Sequence, residues 1–440
     1  MQDKNNPKTI RAWAMFDWAN SAYNLVITST IFPAYYTAIT TTQAHGDRVM
    51  FMGHEFVNTA LSNYILAIAY FIVVLMLPIL TSIADYKGNK KSYMQVFTWI
   101  GGLACCGLYY FKLDTLELGM FCFALAAIGY CSGAVFYNSY LPQIATIDKQ
   151  DAVSAKGFTY GYVGSVLLQV VCFVFVLKPG WFGITDGTFP ARLSFLLVGI
   201  WWLGFAQIPF FKLPKGVPNN STQHQNIISG GFRELGNVWR KITAMPILKR
   251  YLSAFFFYSM GVQTVMLVAT GFAAKELHMP DESLIATILI IQLVAIAGAA
   301  LMSKLSSIFG NIKVLMGVVT IWIGVCVAAY FTQTSMQFYM LAVVVGLVMG
   351  GIQSLSRSTY SKFLPQNITD TASFFSFYDV TEKLAIVIGL FTFGFVESLT
   401  HSMRNSALVL TVFFIAGLLL LFVLLKTQLS QDLEVEPSTL

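Results

Sequence analysis

Charge is what this chain has least of. Only 11% of its 440 residues are Asp, Glu, Lys or Arg, against roughly 25% in soluble domains, which excludes a water-soluble fold as its main body. Histidine is scarce too. Its five copies are scattered, and neither His-Glu-x-x-His nor Gly-x-Ser-x-Gly occurs, so an intramembrane enzyme would lack its metal set or its nucleophile. No Gly-rich phosphate loop ending in Gly-Lys-Ser/Thr is present, so the chain carries no ATP drive of its own. The six cysteines (Cys105, Cys106, Cys122, Cys131, Cys172 and Cys326) sit in apolar runs without ligand spacing. They read as small apolar filler, and neither disulfides, a metal site nor a cofactor is expected. The polar opening MQDKNNPK before a long apolar run does not fit a cleaved secretory signal.

What is present is apolar length. With 56% hydrophobic residues, twelve runs reach spanning length, near 12–39, 58–82, 92–112, 117–140, 157–177, 192–211, 249–273, 283–305, 313–332, 337–357, 373–397 and 404–425. The expected class is an all-α, multi-pass integral membrane protein. Twenty Lys and Arg residues fall on the side of the termini and six on the other, with Lys383 inside a span. Positive residues accumulate in cytoplasmic loops, so both termini are expected in the cytoplasm, and in a bacterial cell the membrane would be the inner, plasma membrane. The net charge of +6 is then a topology signal. It is spread over many loops and needs no nucleic-acid partner.

The first run, Arg11 to Tyr36, carries Asp17 into the bilayer. An Asp at the centre of a span costs about 2.5 to 3.5 kcal/mol, and such acids mostly face a bundle interior or a water-filled path. Helical spacing places Asp17, Asn20, Ser21, Asn24 and Thr28 on one polar face. The competing reading is that these groups join helices by hydrogen bonding.

Two short blocks repeat. Asp85-Tyr86-Lys87-Gly88-Asn89-Lys90-Lys91 returns as Phe309-Gly310-Asn311-Ile312-Lys313, and Leu141-Pro142-Gln143 as Leu364-Pro365-Gln366, at offsets of 222 and 223. Two matches at nearly one offset indicate two six-helix halves in parallel register, a common transporter plan. The expected division is 1–212 for the first half, 213–248 for a cytoplasmic linker, 249–426 for the second half and 427–440 for a frayed acidic tail. Within the linker, Ile228, Phe232, Leu235, Val238, Trp239 and Ile242 recur at helical spacing, which predicts an amphipathic helix along the membrane surface. His224 falls in its polar opening and reads as a solvated residue.

Twelve spans in two halves around a basic central loop resemble the major facilitator superfamily, with Asp85, Gly88, Lys90 and Lys91 matching its loop after the second span. Asp17-Trp-Ala-Asn-Ser-Ala-Tyr23 with Pro33 is similar to its vacuole-effluxer branch, named for autophagy-related amino-acid exporters of the fungal vacuole. Asn138 with Leu141-Pro142, Gly157, Gly161, Tyr162 and Gly164, Gly350-Gly351, Gln353, Ser356-Arg357-Ser358, and Phe374 to Tyr378 with Lys383 also fit. The resemblance implies the major facilitator fold and export of a small metabolite such as a neutral amino acid. It also implies that helices 1, 4, 7 and 10 surround a central cavity.

Arg357, Asp379, Glu382 and Lys383 concentrate in the tenth and eleventh spans. Glu382 and Lys383 are expected near the bilayer midplane, and Arg357, Asp379 and Asp17 nearer the cytoplasmic surface, from a rise of about 1.5 Å per residue. Arg357 is expected to pair with Asp379 or Asp17 as an inner gate. Asp85, with its basic neighbours, is expected to hold one face shut at the rim. Asn20, Asn24, Asn138, Gln263, Gln353 and Lys383 are the candidate substrate contacts. The alternatives are permanent ion pairs that fix helix register and amides that join helices. The leading reading is a secondary transporter working by rocker-switch alternating access with H+ as candidate coupling ion. It would act as a monomer in the lipid bilayer on a small-molecule substrate. Kept beside it are a flippase or exporter of an amphipathic or lipid-linked molecule and a non-transporting receptor on the same fold.

Overall fold

The computed structural model describes residues 4–41, 46–215, 227–365 and 370–435. His224, Gln366 and the last five residues of the expected tail lie outside them. The chain runs α1 (Pro7–Ala22), a π-helical segment (Tyr23–Ile31), α2 (Phe32–Thr40), a hairpin of β1 (Arg48–Phe51) and β2 (His54–Val57), α3 (Asn58–Lys87) and α4 (Lys90–Gly107). It continues through α5 (Leu116–Asn138), α6 (Leu141–Ile144), α7 (Gln150–Leu177), α8 (Phe189–Lys212), α9 (Ile227–Ala244) and α10 (Pro246–Leu277). The last five are α11 (Asp281–Phe309), α12 (Asn311–Phe331), α13 (Ser335–Phe363), α14 (Thr371–Thr400) and α15 (Met403–Val435).

Ten of these helices are long and apolar enough to cross a membrane. The first and third expected spans are the broken run Pro7–Thr40 and the 18-residue α4. The fold is an all-α membrane protein. Helix α15 passes Leu425 without a break to Val435, so most of the expected tail is helical.

The residues form two compact units. One contains Asn6–Tyr140 and Tyr160–Phe232, the other Met1–Asn5, Leu141–Thr159 and Arg233–Leu440. The second therefore includes the opening of α7. In the first unit α1 packs on α8, α3 on α5, and α4 on both α5 and α8. In the second, α10 packs on α15, α11 on α13, and α12 on both α13 and α15. These are the same pairings six spans later, as the repeated blocks predict. The repeated glycines carry the same backbone demand, since Gly88 (φ 65°) and Gly310 (φ 84°) both turn one helix into the next at positive φ, where a Cβ would clash.

The π segment alters the expected polar face of the first span. Hydrogen bonding there reaches five residues back, as the hydroxyls of Ser29 and Thr30 also do, to the carbonyls of Asn24 and Leu25. A 3.6-residue period cannot be carried through it. The flank that follows is anchored, with Tyr35 donating to Phe111 O (2.7 Å) and Tyr36 to Asn58 O (2.7 Å).

Helix α9 has the predicted amphipathic character over the residues whose side chains are described, with Val238 and Ile242, one turn apart, both buried. Trp239 instead is 57% exposed, its ring 5.8 Å from that of Phe377. Lys241 anchors the helix by an ion pair to Asp370, the residue that opens α14 (2.6 Å).

Candidate functional site

Three of the four charged residues of α14, Asp379, Glu382 and Lys383, form one cluster inside the second unit, while Glu397 pairs with Lys275 (2.6 Å). Asp379 and Lys383 are four residues apart, which puts both on one helix face, and their ion pair measures 3.3 Å. Glu382 lies 3.4 Å from the same ammonium. From α10, Gln263 Nε2 donates to Glu382 Oε1 (2.8 Å). Two carboxylates thus share one Lys, and the second is held by a neutral amide. Asp379 and Lys383 are buried and Glu382 is half-buried. Asp379 Oδ2 is enclosed and has no hydrogen-bond partner among the described residues. Glu382 is the twelfth of thirty residues in α14.

Arg357 has a different setting. Its Nε donates to Ser154 Oγ (3.0 Å) and its Nη2 to Ser154 O (2.8 Å), and the guanidinium stands 4.2 Å from the Phe158 ring centroid. Of the two acids considered for it, Asp379 is taken by Lys383. Behind Arg357, Tyr251 donates to Ser356 O (2.8 Å) and Tyr258 shares a 2.8 Å hydrogen bond with Ser356 Oγ. Helix α10 thereby fixes the α13 backbone beside Arg357. Gln353 meets the sulfur of Met266 at 3.6 Å.

A second polar cluster lies at the helix ends, and sequence reasoning missed it. Asp151, almost fully buried near the start of α7, receives Lys362 from α13 (2.5 Å), Asn311 Nδ2 from α12 (2.8 Å) and Ser306 Oγ from α11 (2.9 Å). Lys362 also donates to Asn311 Oδ1 (3.0 Å). The signal was Asn311 itself, which follows the repeated glycine and was read only as evidence of repetition.

In the first unit Asp17 accepts a hydrogen bond from Tyr137 (2.7 Å), whose ring stacks on Trp13 and Phe16 at 4.4 and 4.9 Å. Asp17, Asn24 and Asn138 are half-buried. Asn20, expected on the same wet face, is buried, and its Oδ1 has no partner among the described residues. Ser21 packs against Gly161, where a Cβ would lie 2.5 Å from Ser21 Oγ. Asp85 is buried at the end of α3 near Lys90, whose ammonium lies 4.3 Å from the Tyr140 ring centroid and donates to Ser139 O (3.5 Å). Among the described residues no group of His, Cys, Asp and Glu is arranged to hold a metal.

Two bundles with matching helix pairings and charged residues inside their spans define a membrane transporter of the major facilitator fold. Solved structures share it. The Escherichia coli fucose:proton symporter FucP aligns over 95% of this chain and 98% of its own, with TM-score 0.69 and 14% identity. The proton:xylose symporter XylE aligns over 94% of each chain, with TM-score 0.72 and 12% identity. The family follows from the sequence itself: residues 5–432 match the vacuole effluxer Atg22-like model, and the chain belongs to that family. It is 30% identical over 420 residues, 95% of each chain, to an uncharacterized MFS-type transporter, YxiO, of Bacillus subtilis. It is 25% identical over 407 residues to autophagy-related protein 22 of Kluyveromyces lactis, covering 84% of this chain and 80% of that one.

Proposed function

We propose that this transporter exports a small zwitterionic metabolite, a neutral amino acid in the first instance, with coupling to protons. The observation that carries the reading is the Asp379–Glu382–Lys383 cluster with Gln263. An ammonium and two carboxylates at midspan offer complementary charges to both ends of an amino acid, and ionisable groups at such depth commonly mark substrate or proton paths. Family membership supports the efflux direction. Half-buried Glu382 is the group assigned to substrate or proton, while Lys383 holds Asp379 and Glu382 together.

Arg357 and Asp151 are assigned to the gate. Each fastens the opening of α7 to α13, through Ser154 and Lys362 respectively. Release of both would free that segment during alternation of access.

Reconstituted proteoliposomes test this reading. Labelled neutral amino acids should cross faster than in empty vesicles, an imposed pH gradient should change the rate, and Glu382→Gln should remove the gradient effect. Movement no faster than in empty vesicles under every gradient would refute the substrate and its coupling.

A further inference from the structure

The first unit holds a buried cation that the transport reading leaves unused. Arg192, the fourth residue of α8, is 7% exposed, yet the acid that meets it, Asp186, lies in the loop before the helix with its side chain half exposed. The pair is one-handed. Arg192 Nη2 donates to Asp186 Oδ2 (2.7 Å), Nη1 reaches the Tyr109 carbonyl only at 3.5 Å, and the enclosed Nε has no hydrogen-bond partner among the described residues. The Tyr109 ring centroid stands 5.7 Å from the guanidinium. A guanidinium presents a fork that the two oxygens of one carboxylate fill together. Here one prong is taken and its neighbour is idle.

The two partners lose unequally if they part. Asp186 keeps the Thr188 amide (2.8 Å) and hydroxyl (2.7 Å) on its other oxygen, and the Thr188 hydroxyl is the main cause that holds its carboxyl below the usual range. Arg192 would become a buried cation without a counter-charge, which is strongly destabilising. Exchange is therefore open to a molecule that brings a carboxylate of its own, and one that grips Nε and Nη2 together gains a bond that Asp186 does not make. Five spans precede α8, so its first turn stands at the end of the bundle opposite the start of α1. With both termini in the cytoplasm, as the charge bias predicts, that is the outer end, where an exporter lets its cargo go.

We propose that Arg192 is a release-end site for the carboxylate of the transported molecule, with Asp186 as the resident carboxylate that gives way to it. The substrate's identity rests on the amino-acid reading above; the carboxylate site does not. Radiolabelled butyrate, a carboxylate without an ammonium, tests it on the purified full-length protein by scintillation proximity. Asp186→Ala, which removes the resident carboxylate, should bind butyrate about tenfold more tightly than the wild type. Arg192→Lys in that background keeps the charge and loses the fork, and should weaken binding about tenfold. Asp186→Ala should also melt lower than the wild type, with butyrate and not butylamine restoring it. If Asp186→Ala does not fold, Gly187→Cys gives a second reading, since a Cβ there meets nothing within 4 Å: butyrate should slow reaction of that thiol with a maleimide only while Arg192 is intact. Equal butyrate binding in the wild type and a folded Asp186→Ala protein, or butyrate effects that survive Arg192→Gln, would overturn the site. Leucine should displace the bound butyrate; butyrate that leucine cannot displace would uphold the carboxylate site and overturn its use by an amino acid.

Discussion

The two bundles repeat one packing scheme and fill it with different chemistry. In the first, α7 meets the first span on bare backbone: a Cβ at Gly164 would lie 2.7 Å from Trp18 O. The acid there, Asp17, rests against an aromatic stack through Tyr137. In the second, α14 meets α10 through Gln263 and Glu382 with Lys383 and Asp379 beside them. Close approach occurs in both bundles, since a Cβ at Gly389 of α14 would lie 2.6 Å from Met260 O of α10; what the second adds is a cluster of charge between those two helices. Helix pairing recurs between the repeats because shape fixes it, whereas the Asp379–Glu382–Lys383 cluster has no counterpart at the matching place in the first bundle.

Breaking the charged side should have the largest effect. Lys383→Met leaves two carboxylates together in the span, at a cost of about 3–5 kcal/mol, read as a large fall in apparent melting temperature. Adding Asp379→Asn and Glu382→Gln should restore much of that stability without restoring transport. If the triple variant melts as early as Lys383→Met, the cluster is not held by charge balance.

Filling the glycine side comes next. Gly164→Leu should destabilise the first unit by about 1–3 kcal/mol through overpacking, with less monodisperse protein recovered, while Gly236→Leu, on open space in α9, should not. A comparable effect at both positions would show that backbone proximity is not the cause. Tyr137→Phe removes one hydrogen bond to a carboxylate, worth about 1.5–3 kcal/mol. It should shift the melting temperature less than Lys383→Met, with Asp17 then more accessible to a carboxyl-directed reagent; unchanged accessibility would remove Tyr137 as its shield. The exposed Arg48–Glu55 pair of the hairpin (3.2 Å) should contribute least: Arg48→Ala is expected to leave the melting temperature within error, as exposed pairs usually do.

Long apolar runs made most of the fold legible in the sequence, because burying a span in lipid requires length and little else. The repeat was visible at Gly88 and Gly310, where positive φ constrains the residue. The π segment was hidden, since Tyr23 to Ile31 are as apolar as an ordinary helix and hydrophobicity does not record which carbonyl an amide reaches. The charged residues of the α14 cluster were singled out from the sequence, but Asp379 was expected beside Arg357 and pairs with Lys383 one turn away instead. The Asp151 cluster was not, because its four members come from four helices and no local pattern joins them. Arg357 was singled out as a cation inside a span, but Ser154, whose hydroxyl and carbonyl accept from it, lies 203 residues away in the chain.

The first span is clamped above and below its wide turns. Asp17 is tied to Tyr137 on one flank, and Tyr35 and Tyr36 to Phe111 and Asn58 on the other. Any twist of one flank against the other must therefore be absorbed between Tyr23 and Ile31, where a change of pitch can swing Asn24 around the axis while both anchorages stay in place.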